Sequence, residues 1–252
     1  MIARERWDSI LSLLTERGKV TVSELSQVLY ASEATVRRDL NAMENEGLVR
    51  RFHGGVMRNP ASKDSLIPYC IRASEMLESK KIIAQKAAAM VHENDVLMMD
   101  ASNTSEMIAG YLPNDKHLTV ITTGLKTAMV LAERRIDLII TGGIVPENDF
   151  SMIGGYTETV LRDMHADICF STCRGVSLDG RMSTANLIAS PLFRLMLKQS
   201  RRVVLCLSSE KIGREYFYTH GTIEDVDEVL CDKPLPDDWP ERIGKNRPGH
   251  GE

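Results

Sequence analysis

The chain has 252 residues, 43% of them apolar and 26% charged, with a formal net charge of −4. That is the composition of an ordinary soluble globular protein, long enough for one substantial core and one small extra domain. No run approaches the roughly 18 consecutive apolar residues of a membrane-spanning helix, and the acidic whole argues against indiscriminate binding to polyanions.

The opening "MIARERWDSI" lacks the basic-then-apolar build of a secretory leader, so the expected location is the cytoplasm. Cys70, Cys169, Cys173, Cys206 and Cys231 show no C-x-x-C spacing and read as free core thiols. Charge is unevenly shared. Residues 1–60 carry a net +1 and the remainder −5, and residues 47–60 hold Arg50, Arg51 and Arg58 with no acid. A local basic patch of this kind can still grip DNA.

Three helices fit the first 47 residues. The first is expected over Ala3 to Glu16, with Trp7, Ile10, Leu11 and Leu14 at helical spacing and Gly18 as its stop. Thr21 and Glu24 form a capping-box pattern for the second, whose apolar face is Leu25, Val28 and Leu29. Ser32 can cap a third through Glu46, with Gly47 after it. In that helix Val36, Leu40 and Met43 must face the core, which turns Arg38 and Asn41 outward and leaves Thr35 and Arg37 on the flanks. Asp39 sits at the core's edge, where it is expected to orient Arg38 or a neighbouring basic group. "LVRRFHGGV" then reads as two short strands around Gly54-Gly55. Together these define a winged helix-turn-helix over residues 1–57, the helix-turn-helix itself over about 20–39.

In such a scaffold the exposed start of the third helix suits a major groove. Ser32, Thr35, Arg37 and Arg38 are the candidate base and phosphate contacts there. Arg50, Arg51 and His53 sit where a wing would touch the flanking backbone. The competing reading is a winged helix used for protein contacts.

Residues 58–79 read as a linker. From Lys80 to about residue 233 helix and strand patterns alternate: "KKIIAQKAAAMV", "VLMMD", "TSEMIAGYL", "LTVIT", "LKTAMVLAE", "IDLIITGG", then "ADICFST", "LIASPLFRLMLKQS" and "RVVLCL". Alternation with apolar strands predicts a mostly parallel α/β sheet covered on both faces. Residues 234–252, rich in Pro and Gly, are expected to be a loosely attached tail.

In open α/β sheets ligands bind beyond the carboxyl ends of the strands. Those ends carry "DASNTSE", "TTGLK", "TGGIVPEND", "CRGVSLDG" and "SSEKIG", rich in hydroxyls and glycines. Backbone N–H groups at the helix starts could cradle a phosphate, with Lys211 as counter-charge. The candidate effector-binding residues are Asp100, Ser102, Asn103, Thr104, Thr123, Gly124, Gly142, Gly143, Arg174 and Lys211. Arg174 reads equally well as a surface arginine, and Asn186 as a helix cap. No catalytic residue, metal site or cofactor is expected.

The stretch "VTVSELSQVLYASEATVRRDLNAMENEGLVRRFHGGV" resembles the DNA-binding domain of the DeoR/GlpR family of bacterial sugar-metabolism regulators. T-V-R-R-D-L, E-x-G-L-V-R-R and H-G-G follow the family order and spacing. Residues 70–232 resemble that family's C-terminal sensor domain, similar in fold to ribose-5-phosphate isomerase. The resemblance implies an operator-binding repressor, usually a homo-oligomer (dimer or tetramer), released by a phosphorylated sugar.

Departures from the family pattern bear on that expectation. Its D-x-G-T-T is here Asp100-Ala101-Ser102-Asn103-Thr104, its Thr-Asn pair is Thr122-Thr123, and its Arg after the Gly-Gly strand is Pro146. The late-helix Glu and Lys fall on Ala189 and Phe193, and D-x-S-K reads Ser208-Ser209-Glu210-Lys211. Losing carboxylates at Ala189 and Ser208 removes candidate acid/base groups and argues against a sugar-phosphate isomerase. D-A-S-x-T with C-x-G-V looks closest to the fucose-operon regulators of the family, which implies a deoxysugar phosphate. A pocket answering to another metabolite or to a protein partner stays open as the alternative.

Overall fold

The computed structural model describes residues 3–17, 19–45, 48–52, 55–58, 69, 75–146, 149–186 and 188–247. The chain divides into two compact units, Met1–Glu75 and Met76–Glu252.

In the first unit α1 spans Ala3–Arg17, α2 Val22–Val28 and α3 Glu33–Asn45. The stops expected at Gly18 and Gly47 lie outside the described residues. The capping box forms as its pattern predicts. Thr21 Oγ1 accepts from the Glu24 N–H at 3.2 Å, and the Glu24 carboxylate accepts from the Thr21 N–H at 2.7 Å. Ile10, Leu11, Leu14, Leu25, Val36, Leu40 and Met43 are buried together, as the 3.6-residue spacing requires. Val28 departs from the expected face: it is 45% exposed, and Val22, one turn before Leu25, is buried in its stead. The wing strands are β2 (Val49–Phe52) and β3 (Gly55–Arg58), antiparallel to each other. A third strand, β1 (Lys19–Thr21), pairs with β3 on its other edge and was not expected. Val20 and Val56 meet on that seam and drop into the helical core.

In the second unit a six-stranded, wholly parallel sheet has the order β12-β10-β7-β4-β5-β6. Its strands are β4 (Val96–Met99), β5 (Thr119–Thr122), β6 (Asp137–Ile140), β7 (Ala166–Ser171), β10 (Ser200–Leu207) and β12 (Glu228–Cys231). Helices α4 (Leu77–Ala89), α5 (Asn103–Tyr111) and α6 (Leu125–Glu133) cover one face through Ile83, Ile108 and Leu131. Helices α7 (Gly155–Arg162) and α8 (Ser190–Lys198) cover the other through Leu161, Leu192 and Met196. A small antiparallel sheet packs on that second side, with β9 (Arg181–Thr184) between β8 (Gly175–Val176) and β11 (Tyr218–Thr222).

Two expectations need correction. The strand in "IDLIITGG" is not covered on both faces. As edge strand β6 it leaves Ile140 47% exposed. Nor is the C-terminal stretch loose through residue 247. Trp239 is fully buried and its indole N–H donates to the Leu178 carbonyl at 3.1 Å, while Arg242 pairs with Glu224 and Arg247 with Asp227. One large aromatic and two arginines are enough to fasten a Pro/Gly-rich segment whose composition alone reads as a tail.

The strand order fixes where a ligand can sit. From β4 the chain winds outward through β5 to β6, then returns to β7 on the other side and winds through β10 to β12. The reversal lies between β4 and β7, and in such sheets the crevice opens at the carboxyl ends flanking it.

Candidate functional site

On the first unit, α3 presents the arginine face that its periodicity predicts. Ser32 Oγ accepts from the Thr35 N–H at 3.2 Å and so caps the helix, and it lies 2.9 Å from Thr35 Oγ1. Arg38 is exposed. Arg37 pairs with Glu33 one turn back at 2.8 Å, with both side chains about half exposed. A pair so exposed is weak.

Asp39 does not orient Arg38. Its carboxylate takes a two-pronged bond from Arg6 of α1, at 2.6 and 3.0 Å, with side chains only 12% and 6% exposed. This bond raises the Arg6 guanidinium further above its already high pKa. The acid therefore ties α1 to the recognition helix.

The wing is braced on α3 as well. The Arg51 N–H donates to Glu44 at 2.9 Å, and its guanidinium donates to Asn41. Arg50 lies in β2 opposite Met57, and His53 lies outside the described residues. One exposed residue had no signal in the sequence. Tyr30, in the turn between α2 and α3, takes a left-handed conformation (φ 49°) and is 96% exposed. Local propensity does not place a tyrosine there.

On the second unit, the strand-end loops meet at the switch point. Asp100, directly after β4, is 2% exposed and holds the loops on both sides of it. One carboxylate oxygen accepts from the N–H and the hydroxyl of Thr172 after β7, at 2.8 and 2.6 Å. The other accepts from the Ser102 N–H and the Ser105 hydroxyl, at 3.0 and 2.6 Å. Ser102 in turn caps α5 through the Ser105 N–H at 3.0 Å. Asp100 is thus a clasp across the β4–β7 seam, with Thr172 as the partner that sequence reading missed.

Asn103 and Thr104 form the first turn of α5 and are almost buried. Gly124, at the start of α6, is packed so close to the Asp100 loop that a Cβ there would lie 2.8 Å from Ala101 Cα. Thr123 is buried beside it. Lys211 reaches the seam from the loop after β10, donating to the Cys173 carbonyl at 2.9 Å. Arg174 follows at half exposure, its N–H donating to the Ser183 carbonyl at 3.0 Å. Gly142 and Gly143 lie after β6. Gly143 has φ +122°, and a Cβ on it would meet Thr157 Oγ1 at 2.2 Å. Both glycines serve the packing of their turn, one strand further from the seam. Asn186 does not cap α8, whose N-cap is Ala189 with no side-chain bond; its amide oxygen accepts from the N–H groups of Ile188 and Ala189 in the turn before the helix.

The thiols near the site are inert. Burial pushes Cys173 up to about 12 and holds Cys169 and Cys206 higher than the ordinary thiol range. Cys231 is buried too, while Cys70 lies outside the described residues. No group of three or more His, Cys, Asp or Glu able to hold a metal occurs among the described residues. No helix among them is long and apolar enough to cross a membrane. An open cleft at the opposite end of the sheet, lined by His165, Asp167, Lys198 and Arg201, is remote from the Asp100 seam.

A winged helix-turn-helix with an arginine-bearing recognition helix, carried with an α/β unit whose polar loops meet at a switch point, defines a DNA-binding regulator with a sensor domain. The chain belongs to the DeoR family of transcriptional regulators. Its residues 6–61 match the DeoR-like helix-turn-helix domain, and residues 75–233 match the DeoR C terminal sensor domain. The HTH-type transcriptional regulator GolR of Listeria innocua is 34% identical over 93% of this chain and 92% of its own length. The L-fucose operon activator of Haemophilus influenzae is 31% identical over 92% and 93%. The glycerol-3-phosphate regulon repressor of Escherichia coli is 29% identical over 92% of each. Among solved structures, the ribose 5-phosphate isomerase A of Methanocaldococcus jannaschii aligns over 53% of each chain, with 14% identity and a TM-score of 0.40.

Proposed function

We propose that the chain represses a carbohydrate-utilisation operon and that a phosphorylated sugar, bound in the sensor unit, releases or modulates it. The observation that carries this reading is the Asp100 clasp. It holds the start of α5 to the loop after β7, with the start of α6 packed against Ala101 and Lys211 of the loop after β10 bonded to the Cys173 carbonyl. Backbone N–H groups at two helix starts, beside one lysine, form a site for an anion with a polar body.

On this reading Ser102, Asn103, Thr104, Thr123 and Gly124 line the phosphate end, and Lys211 and Arg174 supply counter-charge. Gly142 and Gly143 shape the rim. Asp100 positions the loops, since both its oxygens already accept two bonds each. Ser32, Thr35, Arg37 and Arg38 address the major groove, while Arg50, Arg51 and His53 address the flanking phosphates. Two copies of the chain would match two half-sites of a cytoplasmic operator.

The chain acts as a regulator and not as an enzyme: Ala189 and Ser208 stand where the resemblance implies carboxylates. The relatives' names include both an activator and a repressor, so the direction of control follows from which arrangement of the chain the ligand prefers.

The test is a thermal-shift titration with a panel of aldose, ketose and deoxysugar phosphates, followed by operator release by the stabilising compound. A ligand bound to the native state raises its melting temperature. Lys211→Ala should leave operator affinity intact and abolish the response. Release of the variant at the same ligand concentration as the native chain overturns the phosphate assignment. A native chain that no sugar phosphate stabilises overturns the effector class, and leaves a sensor turned to another metabolite or a protein.

A further inference from the structure

Strand β11 is irregular at one residue. Thr219 pairs with Ser183 and Gly221 with Met182, so His220 is the extra residue of a β-bulge. Bulges of this kind re-aim a side chain and concentrate beside functional sites. His220 is 2% exposed, and neither ring nitrogen has a hydrogen-bond partner within the protein. Its ring stacks on Phe193 of α8, with centroids 4.8 Å apart and planes at 28°.

Burial pushes its pKa down to about 4, and the group that opposes this shift is the Asp100 carboxylate. The ring is neutral at ordinary pH, and its neighbour Thr219 pairs with Ser183, whose carbonyl accepts from the Arg174 N–H in the loop after β7, at the β4–β7 seam. A neutral imidazole offers one donor and one acceptor.

A second orphaned group lies at the same seam. Ser171 ends β7 at 1% exposure, and its hydroxyl has no partner within the protein. Strand alternation puts it on the same side of the sheet as Cys169, the side where α8 and the antiparallel sheet pack. Buried polar groups are almost always satisfied, and an exception calls for a cause.

We infer that His220 is a specificity-determining contact of the sensor site, hydrogen-bonding a hydroxyl on the sugar portion of a sugar phosphate. The inference rests on the reading of the sensor as a sugar-phosphate site. An uncharged donor-acceptor pair matches a hydroxyl, which both donates and accepts, better than a sugar-phosphate dianion, which would leave the acceptor nitrogen unpaired. Phe193, half-buried over the ring, adds an apolar wall of the kind that lines small-molecule sites. The depth of His220 does not set it apart, because Asp100, Thr104 and Thr123 are 2–4% exposed as well.

The test uses the full chain, with ribose 5-phosphate, fructose 1-phosphate and a 6-deoxyketose 1-phosphate as probes beside inorganic phosphate. His220→Phe should fold, bind operator as the native chain does and keep its response to inorganic phosphate. Its affinity for the responding sugar phosphate should fall about tenfold or more, the effect of removing one buried hydrogen-bond partner. His220→Gln, which keeps a donor and an acceptor, should recover part of the loss. Equal sugar-phosphate affinity in His220→Phe and the native chain overturns the assignment alone. A native chain indifferent to every sugar phosphate overturns the sensor reading and this inference with it.

Should His220→Phe fail to fold, long-range proton–nitrogen spectra of the native chain decide. The ring-nitrogen resonances should move with the sugar phosphate and not with inorganic phosphate. Resonances that stay fixed mean a core histidine only.

Discussion

Arg38 and Asp39 are neighbours in the chain with opposite duties. Arg38 is exposed on α3, while Asp39 is 5% exposed and engaged by Arg6 thirty-three residues away. Their substitutions should separate cleanly. Arg38→Ala removes a group that can bond a guanine edge or a phosphate, and should weaken operator binding by about 1–3 kcal/mol at unchanged melting temperature. Asp39→Ala removes the carboxylate that Arg6 engages at 12% exposure. It should lower the melting temperature of the DNA-binding unit by several degrees, with operator affinity falling only as folded protein is lost. A gel-shift titration run beside thermal unfolding checks both. Arg38→Ala binding operator as the native chain does would remove that residue from the interface.

At the scale of elements, local chemistry is what the amino-acid order reveals. Three helices, the capping box and the α/β alternation were legible, because helix period, cap chemistry and apolar strand runs are local properties. The antiparallel sheet was not. "YTHGT" has neither alternation nor length, and it becomes a strand only because Thr184 and Ser183 are there to pair with it. Helix α7 (Gly155–Arg162) starts on two glycines, Gly154 and Gly155, which give no local helix signal. In the candidate site the loops were legible as strand ends, and the clasp was not: Asp100 and Thr172 are 72 residues apart, and spacing carries no information about such a pair.

Two glycines of these elements should respond in opposite directions. Gly143→Ala faces a φ of +122° and a wall formed by Thr157 and the Ile153 carbonyl, so it should destabilise the sensor by about 1–3 kcal/mol from backbone strain alone. Gly110 lies inside α5 with open space around its Cβ position, and Gly110→Ala should stabilise by about 0.5–1 kcal/mol. Denaturant unfolding measures both, and a stabilising Gly143→Ala would contradict the packing of the β6 turn.

At the scale of the molecule, the chain joins a net-positive DNA-binding stretch, +1 over residues 1–60, to an acidic remainder of −5. The net negative charge of that remainder disfavours approach to a polyanion. The sensor's influence on the operator must run through the population of chain arrangements. A ligand shifts that population only by its difference in affinity between them. On the proposed function the coupling is reciprocal: whatever factor a bound sugar phosphate imposed on operator binding, the operator would impose on sugar-phosphate binding. Calorimetric titration of the stabilising sugar phosphate, with and without saturating operator duplex, should return the same ratio as operator titration with and without the ligand. Couplings of this type are commonly about 5- to 150-fold, well within the reach of both measurements. Lys211→Ala should return a ratio of one in each direction. Unequal ratios in the native chain would mean that a third equilibrium, such as subunit dissociation, stands between the two sites, and that a two-arrangement sensor does not describe this regulator.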